Sequence, residues 1–154
     1  VGLCSDGGVH SDIAHLEILV PALLQLCKQK IALHLITDGR DTGPRTFIDQ
    51  IDKIDKLCKS NSRVYVSSVS GRFYAMDRDK RWERTKQAYD AIMLGISNNR
   101  STLKEYIQSC YSKNITDEFI EPCVVSNNIF KEEDALIFWN FRSDRMRQIV
   151  QAIY

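Results

Sequence analysis

Gly71-Arg72-Phe73-Tyr74-Ala75-Met76-Asp77-Arg78-Asp79-Lys80-Arg81-Trp82 holds six charged residues in twelve, with aromatics and a methionine interleaved among them. A solvated charge run has no use for Phe73, Tyr74, Met76 and Trp82 at that density. The mixture suits ion pairs held on an apolar platform, with arginine side chains aimed at something. The stretch follows a strand-like run at 63–69, and a helical pattern begins near Asp79. It therefore reads as a strand-to-helix loop, the place where open α/β sheets bind ligands. Arginine supplies a planar fork that grips phosphate or carboxylate through paired hydrogen bonds. A site for a small, multiply charged anion is the reading that follows.

Working outward, the same arrangement recurs. Residues 1–4 read as a short buried strand closed by Ser5-Asp6-Gly7-Gly8, with His10 and Ser11 next and Asp12 as a helix N-cap. Ile13, Leu16, Val20, Leu23, Leu24 and Cys27 then recur at helical spacing, with a kink predicted at Pro21. Residues 31–37 form a near-continuous apolar strand, the mark of burial on both faces and parallel pairing. His34 inside it reads as a core histidine. Asp38-Gly39-Arg40-Asp41-Thr42-Gly43-Pro44 follows as a second ligand-type loop, opening a helix with Phe47, Ile51, Ile54 and Cys58 on one face. His10 is read equally as a ligand contact or a structural residue of its turn. Arg40 and Asp41 are open between ligand contact and ion pairs with neighbouring loops.

Beyond the central stretch, Trp82, Thr85, Tyr89, Ile92 and Ile96 share one predicted helical face. Ser101 is expected to cap a helix bearing Leu103, Ile107 and Cys110. A turn at 116–119 precedes a short strand at 123–125, and 126–134, with Ile129 and Phe130, reads as a hairpin. Residues 135–139 read as the last buried strand. It feeds Asn140-Phe141-Arg142-Ser143-Asp144-Arg145-Met146-Arg147 and a helix through Ile149, Val150 and Ile153. With Asp144 early in that helix, Arg142 and Arg145 would face its N-terminus, where free N–H groups favour anions. Arg147 reads as solvated surface. Strand, charged loop and helix thus occur four times, which predicts a largely parallel α/β sheet with the four loops gathered at one edge.

Composition narrows the function. At 154 residues and 44% hydrophobic, the chain predicts a single domain around one core. Lys and Arg number 21 against 20 Asp and Glu, a net charge of +1. Binding of nucleic acid through bulk electrostatics calls for a clear basic excess, so none is expected. No apolar run approaches a membrane span of roughly 18 residues, and none reads as a signal peptide. Five cysteines, an odd number with no C-x-x-C pair, read as reduced buried thiols in a cytoplasmic protein. The start at Val1, directly in a strand pattern, suggests a piece of something longer. Ser5, Asp6 and His10 mimic a hydrolase triad in composition only, because no nucleophile elbow accompanies them.

Five motifs then carry a resemblance: S-D-G-G-V-H-S (5–11), D-G-R-D-T (38–42), G-R-F-Y-A-M-D-R-D-x-R-W-E-R (71–84), T-D-E-F (116–119) and N-F-R-x-D-R (140–145). In this order the chain resembles the cofactor-independent (2,3-bisphosphoglycerate-independent) phosphoglycerate mutases. The resemblance covers essentially the whole chain but matches only that family's inserted phosphotransferase, or substrate-binding, domain. It implies a mixed rather than strictly parallel sheet, with residues 1–154 as that single domain. It also implies interconversion of 3-phosphoglycerate and 2-phosphoglycerate without any 2,3-bisphosphoglycerate requirement.

The family's second domain, related to alkaline phosphatases, carries the nucleophilic serine and two manganese ions. Nothing in this sequence matches either, so the chain alone is expected to be inactive and to bind no metal itself. That metal-binding domain is the expected partner, alongside the small-molecule substrate. The substrate contacts implied by the matching motifs are His10, Arg40, Asp41, Arg72, Arg78, Arg142 and Arg145, with a proton-transfer role for Asp41. Asp12 departs from the family pattern, where His often follows the serine. The rival reading is a non-catalytic module binding phosphate anions or nucleic acid through the same loops. A free-standing phosphatase or sugar-phosphate isomerase would need a nucleophile or metal that the sequence does not offer.

Overall fold

Strand β2 (Ile31–Thr37) is apolar along nearly its whole length because both of its faces are covered. In the computed structural model, which describes residues 1–127 and 129–154, β2 lies between β1 (Gly2–Cys4) and β3 (Val64–Gly71), parallel to both. Two short strands extend the sheet, β4 (Asn99–Arg100) and β5 (Cys123–Val124), in the order β1-β2-β3-β5-β4. β5 runs antiparallel to β3, and β4 runs parallel to β5, so the sheet is mixed but largely parallel. The register sets Cys4 beside Thr37 and Thr37 beside Gly71, which brings the C-terminal ends of the three parallel strands level.

Helices cover both faces, and the alternation of side chains along β2 sorts the core in two. Leu33 and Leu35 join Ile13, Leu16 and Val20 of α1 (Ile13–Leu26), Ile51 and Ile54 of α2 (Ile51–Ser60), and Ile107 of a helix at 103–112. Ile36 points to the other side. There it meets Ala75 of α3 (Arg72–Ala75), Ala88 of α4 (Trp82–Tyr89), and Ile149 of a helix at 147–153. These last two helices are α5 (Leu103–Ser112) and α6 (Arg147–Ile153). Asp12 caps α1 as its sequence predicts, its carboxylate accepting from the Ala14 N–H at 2.9 Å. α1 continues through Pro21 to Leu26.

Besides the start of α5, where Thr102 and not Ser101 is the N-cap, three expectations change. The first is that residues 135–139 form no strand. They run beside β1, where the Trp139 N–H reaches the Val1 carbonyl at 3.2 Å, and then side chains take over from the ladder. Asn140 Oδ1 accepts from the Leu3 N–H at 2.9 Å, while Trp139 Nε1 and Ser11 Oγ both donate to the Leu3 carbonyl. Gly2 makes room for this, since a Cβ there would lie 2.5 Å from the Trp139 ring. The strand–loop–helix unit is thus complete three times, not four, although the fourth loop still reaches the same edge.

The second change is in the central helix. It starts at Trp82 and passes at Asp90–Leu94 into a π turn. Thr85, Ala88, Ala91, Ile92 and Met93 are buried, while Trp82 in the first turn and Ile96, beyond the last helical residue, are exposed. The third concerns the hairpin expected over 126–134, which includes Asn128, outside the described residues. The described residues around it form no strand, and Phe130 instead donates its N–H to the Met93 carbonyl.

His34 is the buried core histidine its context predicts, with Nδ1 2.8 Å from Ser68 Oγ. Burial holds its pKa down, from an ordinary 6.5 to about 3. Between those values the unfolded chain binds a proton that the folded chain refuses, so stability falls as pH drops through this window. His34→Gln keeps a polar partner for Ser68 and does not titrate. Its unfolding free energy is expected to depend less steeply on pH between 6 and 4 than that of wild type. Chemical denaturation across that range is the measurement, and equal slopes would remove His34 from the account.

Candidate functional site

The site edge is built by a turn that locks two strand ends together. Residues 117–119 form a single 3-10 turn (Asp117–Phe119) passing directly over Gly71, where an added Cβ would lie 2.3 Å from the Glu118 carbonyl oxygen. Gly71 is required there by close approach rather than by turn geometry. The Gly71 N–H donates to the Ile120 carbonyl at 2.7 Å, and Thr37 Oγ1 donates to the Asp117 carbonyl at 2.6 Å. The buried Asp117 carboxylate accepts from the Thr46 and Phe47 N–H groups and from the Tyr111 hydroxyl. Burial pushes the Asp117 pKa up in spite of these donors.

Arg72, the first residue of α3, is nearly fully buried. Its Nη1 donates to Asp38 Oδ1 at 2.6 Å and to Asp41 Oδ2 at 2.5 Å. Asp38 also accepts from Ser5 Oγ at 2.6 Å and from the N–H groups of Arg40 and Asp41, which shapes the loop after β2. Burial raises the Asp38 pKa, but Ser5, the Asp41 N–H and Arg72 outweigh it and hold the group below the usual carboxylate range. Ser5 donates to Asp38 and accepts from Gly7, so its hydroxyl is committed to the loop.

His10 joins this cluster to the last loop. It is 4% exposed, with Nε2 3.8 Å from Asp41 Oδ2 and Nδ1 3.5 Å from Asp144 Oδ1. Burial, then the nearby Arg72 charge, lowers its pKa from 6.5, which makes it a neutral imidazole at pH 7. Asp144 in turn faces Arg78 Nη1 at 3.0 Å and Arg142 Nε at 2.9 Å. Arg78 is delivered by a loop that Asp77 ties down: its buried carboxylate accepts from the Asp79 and Arg81 N–H groups and from Gln148 of α6. Gln148 also accepts from the Lys80 N–H and donates to Thr85. Asp144 and Arg145 lie in the turn before α6, which begins only at Arg147. The arginines of this loop are therefore not arrayed at a helix N-terminus.

Between these loops lies a cleft of about 230 Å³. Arg40, Arg72 and Arg145 line it together with Glu118, Arg81 and Arg84. Phe73 and Phe119 also line it, with ring centroids 5.1 Å apart and the Arg84 guanidinium 3.7 Å above Phe73. Arg40 reaches Glu118 at 3.5 Å. Arg145 makes neither a hydrogen bond nor an ion pair among the described residues. Burial and the charges of Arg78, Arg72 and Arg40 push its pKa down, and only Asp144 opposes them.

All seven residues singled out from the sequence thus meet at one edge of the sheet. Arg40, Arg72 and Arg145 stand in the cleft wall, while His10, Asp41, Arg78 and Arg142 lie directly behind or beside it through the contacts above. Arg72 differs from the picture of a free guanidinium, since two carboxylates already hold it. Sequence reading assigned no role to Asp38, Asp77, Asp144 and Gln148, each of which also has a partner far away in the chain. Asp38, Asp77, Asp144, Glu118 and Phe119 all sit in quoted motifs, which was the available signal for them, while Gln148 sits in none.

A family model described as the BPG-independent PGAM N-terminus matches residues 1–154. The chain belongs to this family. A 2,3-bisphosphoglycerate-independent phosphoglycerate mutase of Helicobacter hepaticus is 48% identical over 155 residues, covering 99% of this chain and 31% of that protein. The enzyme of the same name, numbered 1, from Methanosarcina barkeri is 40% identical over 159 residues, with 99% and 31% covered. A solved structure of Leishmania mexicana phosphoglycerate mutase at low cobalt concentration matches with a TM-score of 0.88 and 26% identity, covering 98% of this chain and 30% of that one. The chain therefore spans 31% of the length of these two curated relatives. Membership of the BPG-independent mutase family and the mixed α/β architecture both stand as the motifs implied. No helix among the described residues is long and apolar enough to cross a membrane.

Proposed function

We propose that this chain is the substrate-holding domain of an enzyme that interconverts 3-phosphoglycerate and 2-phosphoglycerate. The phosphoryl group is carried meanwhile by a serine on an alkaline-phosphatase-like domain outside these residues. One observation carries the reading: Arg145, without a partner among the described residues, is crowded beside a cleft by the like charges of Arg40, Arg72 and Arg78. Such an excess of cations is relieved by an anion carrying more than one charge, and phosphoglycerate carries a carboxylate and a phosphate.

In this reading Arg40, Arg72, Arg78, Arg142 and Arg145 hold the charged ends. His10, neutral at pH 7, hydrogen-bonds the hydroxyl region without adding charge. Asp41, beside His10 and anchored by Arg72, accepts and returns the hydroxyl proton as the phosphoryl group changes position. The domain also retains glycerate between the two transfers, since escape would abort the exchange. No group of three or more His, Cys, Asp or Glu among the described residues is arranged to hold a metal ion. The two manganese ions of this reading belong to the other domain, and no step here runs through them. Five unpaired cysteines suit a reducing, cytoplasmic setting.

The test is turnover of 3-phosphoglycerate by the full-length protein without added 2,3-bisphosphoglycerate, run beside purified residues 1–154. Conversion is expected from the first and none from the second. An inactive full-length protein would end the mutase reading, and turnover by the short chain would end the division of labour. The rival, nucleic-acid binding, would show as affinity that falls steeply with salt.

A further inference from the structure

Asp144 was not among the residues singled out, yet four nitrogens from three separate segments converge on it. Arg78 Nη1 and Arg142 Nη2 donate to its Oδ2 at 3.0 and 3.2 Å. Arg142 Nε and His10 Nδ1 stand 2.9 and 3.5 Å from its Oδ1. For all that closeness, Asp144 Oδ1 and His10 Nδ1 are buried without a hydrogen-bond partner. Both arginine side chains are half exposed, at 50% each, and neither has another carboxylate partner among the described residues. Without Asp144, Arg78 and Arg142 would repel each other and Arg145, and each would regain the rotamer freedom of a long side chain.

We infer that Asp144 is the positioning residue of the anion site: it gathers Arg78 and Arg142, from loops 66 residues apart in the Arg78 case, and fixes the face that His10 presents between them. The inference rests on the mutase reading for its substrate, while the convergence itself is a matter of geometry. Two effects compete when the carboxylate is removed. Loss of a negative charge near an anion site strengthens anion binding by simple electrostatics. Loss of the anchor disperses two of the arginines that must close on the anion, and immobilising them again on binding costs affinity. Asp144 bridges both cations at hydrogen-bonding distance, while its own charge is shared among them, so dispersal dominates.

The experiment compares full-length wild type, Asp144→Asn and Asp144→Glu. Three quantities are read: the Kd for inorganic phosphate, kcat and KM for 3-phosphoglycerate, and the titration of His10 by NMR. Asp144→Asn is expected to weaken phosphate binding and raise KM, each about tenfold, with a smaller fall in kcat. Asp144→Glu restores the charge one methylene further out and is expected to recover most of both losses. Four charged groups face His10: Asp41 from the loop after β2, Arg72 from α3, and Asp144 and Arg142 from the last loop. Its midpoint should therefore move down in Asp144→Asn, because a carboxylate that favours the imidazolium has gone.

Tighter or unchanged phosphate binding in Asp144→Asn would overturn the inference, as would a Glu variant no better than Asn. Should wild type bind phosphate but fail to turn over 3-phosphoglycerate, the mutase reading falls while the phosphate arm still decides the role of Asp144. Should Asp144→Asn fail to fold, Asp144→Glu decides it: near-normal phosphate affinity supports the inference, and a loss as large as tenfold in a folded protein overturns it.

Discussion

Arg72→Ala is expected to lower the unfolding free energy by about 3–5 kcal/mol, the range for removing one partner of a buried ion pair. The cost arises less from the lost bonds than from Asp38, 2% exposed, whose charge would remain with only Ser5 and two backbone N–H groups to hold it. The effect carries its own pH signature. Asp38 titrates below its usual range when folded, so Arg72 supports stability above the unfolded carboxylate value near 4. That support disappears as pH falls through the folded value. The gap between wild type and Arg72→Ala should therefore be full at pH 7 and close in acid. Adding Asp38→Asn to Arg72→Ala should recover part of the loss at pH 7, because the orphaned charge goes too. Thermal and urea unfolding of the three proteins is the measurement. A single variant as stable as wild type at pH 7 would mean that the buried contact with Asp38 is not made in solution.

Arg145→Ala should do the reverse, sparing stability and damaging function. This side chain is held among Arg78, Arg72 and Arg40 with no hydrogen-bond or ion-pair partner among the described residues, and their like charges together with burial outweigh the one favourable charge, Asp144. Truncation removes like-charge repulsion, and the unfolding midpoint should stay level or rise. On the proposed function the same truncation removes a charge-assisted bond to the substrate, worth roughly 1.5–3 kcal/mol, and kcat/KM should fall about ten- to a hundredfold. Arg147→Ala, two residues on and exposed in the first turn of α6, deletes an equal charge and should change neither quantity. Steady-state kinetics of the full-length variants beside their melting curves separates the cases. Equal damage from both substitutions would mean that the loss reflects net charge rather than a site. A drop in stability for Arg145→Ala would mean that its surroundings are not the cation cluster described here.

The parts legible in the sequence are those written in local chemistry. A run such as residues 31–37 is apolar at successive positions, which only a strand covered on both faces needs. The loops that follow such strands announce themselves by glycine beside paired opposite charges. Residues 135–139 are just as apolar, but their backbone is replaced by the side chains of Trp139 and Asn140, and no local pattern distinguishes that from a ladder. The π turn at Asp90–Leu94 is similarly silent, because its residues carry no local pattern that distinguishes it from ordinary α-helix. Within the candidate site, the arginines were visible because a cluster of cations is conspicuous. The acids that order them were not, since Asp144 and Asp77 look like ordinary counter-charges until Arg78 and Gln148 arrive from elsewhere in the chain. Arg72 was visible as a residue but not as a buried one.

The side-chain seal along β1 has a consequence for how this protein behaves among its own copies. A strand at the rim of a sheet offers unpaired N–H and C=O groups, and these template adhesion to any extended chain that meets them. Here Asn140, Trp139 and Ser11 occupy the backbone groups of Leu3, and the indole ring fills the space above Gly2. The segment that does this continues without a break into the loop bearing Arg142 and Arg145. Solubility and ligand capture therefore share one tether: a movement large enough to swing that arginine loop away from the sheet would also bare a sticky rim. Selection against aggregation alone would then keep the loop docked, and the arginines in place, even when no ligand is present.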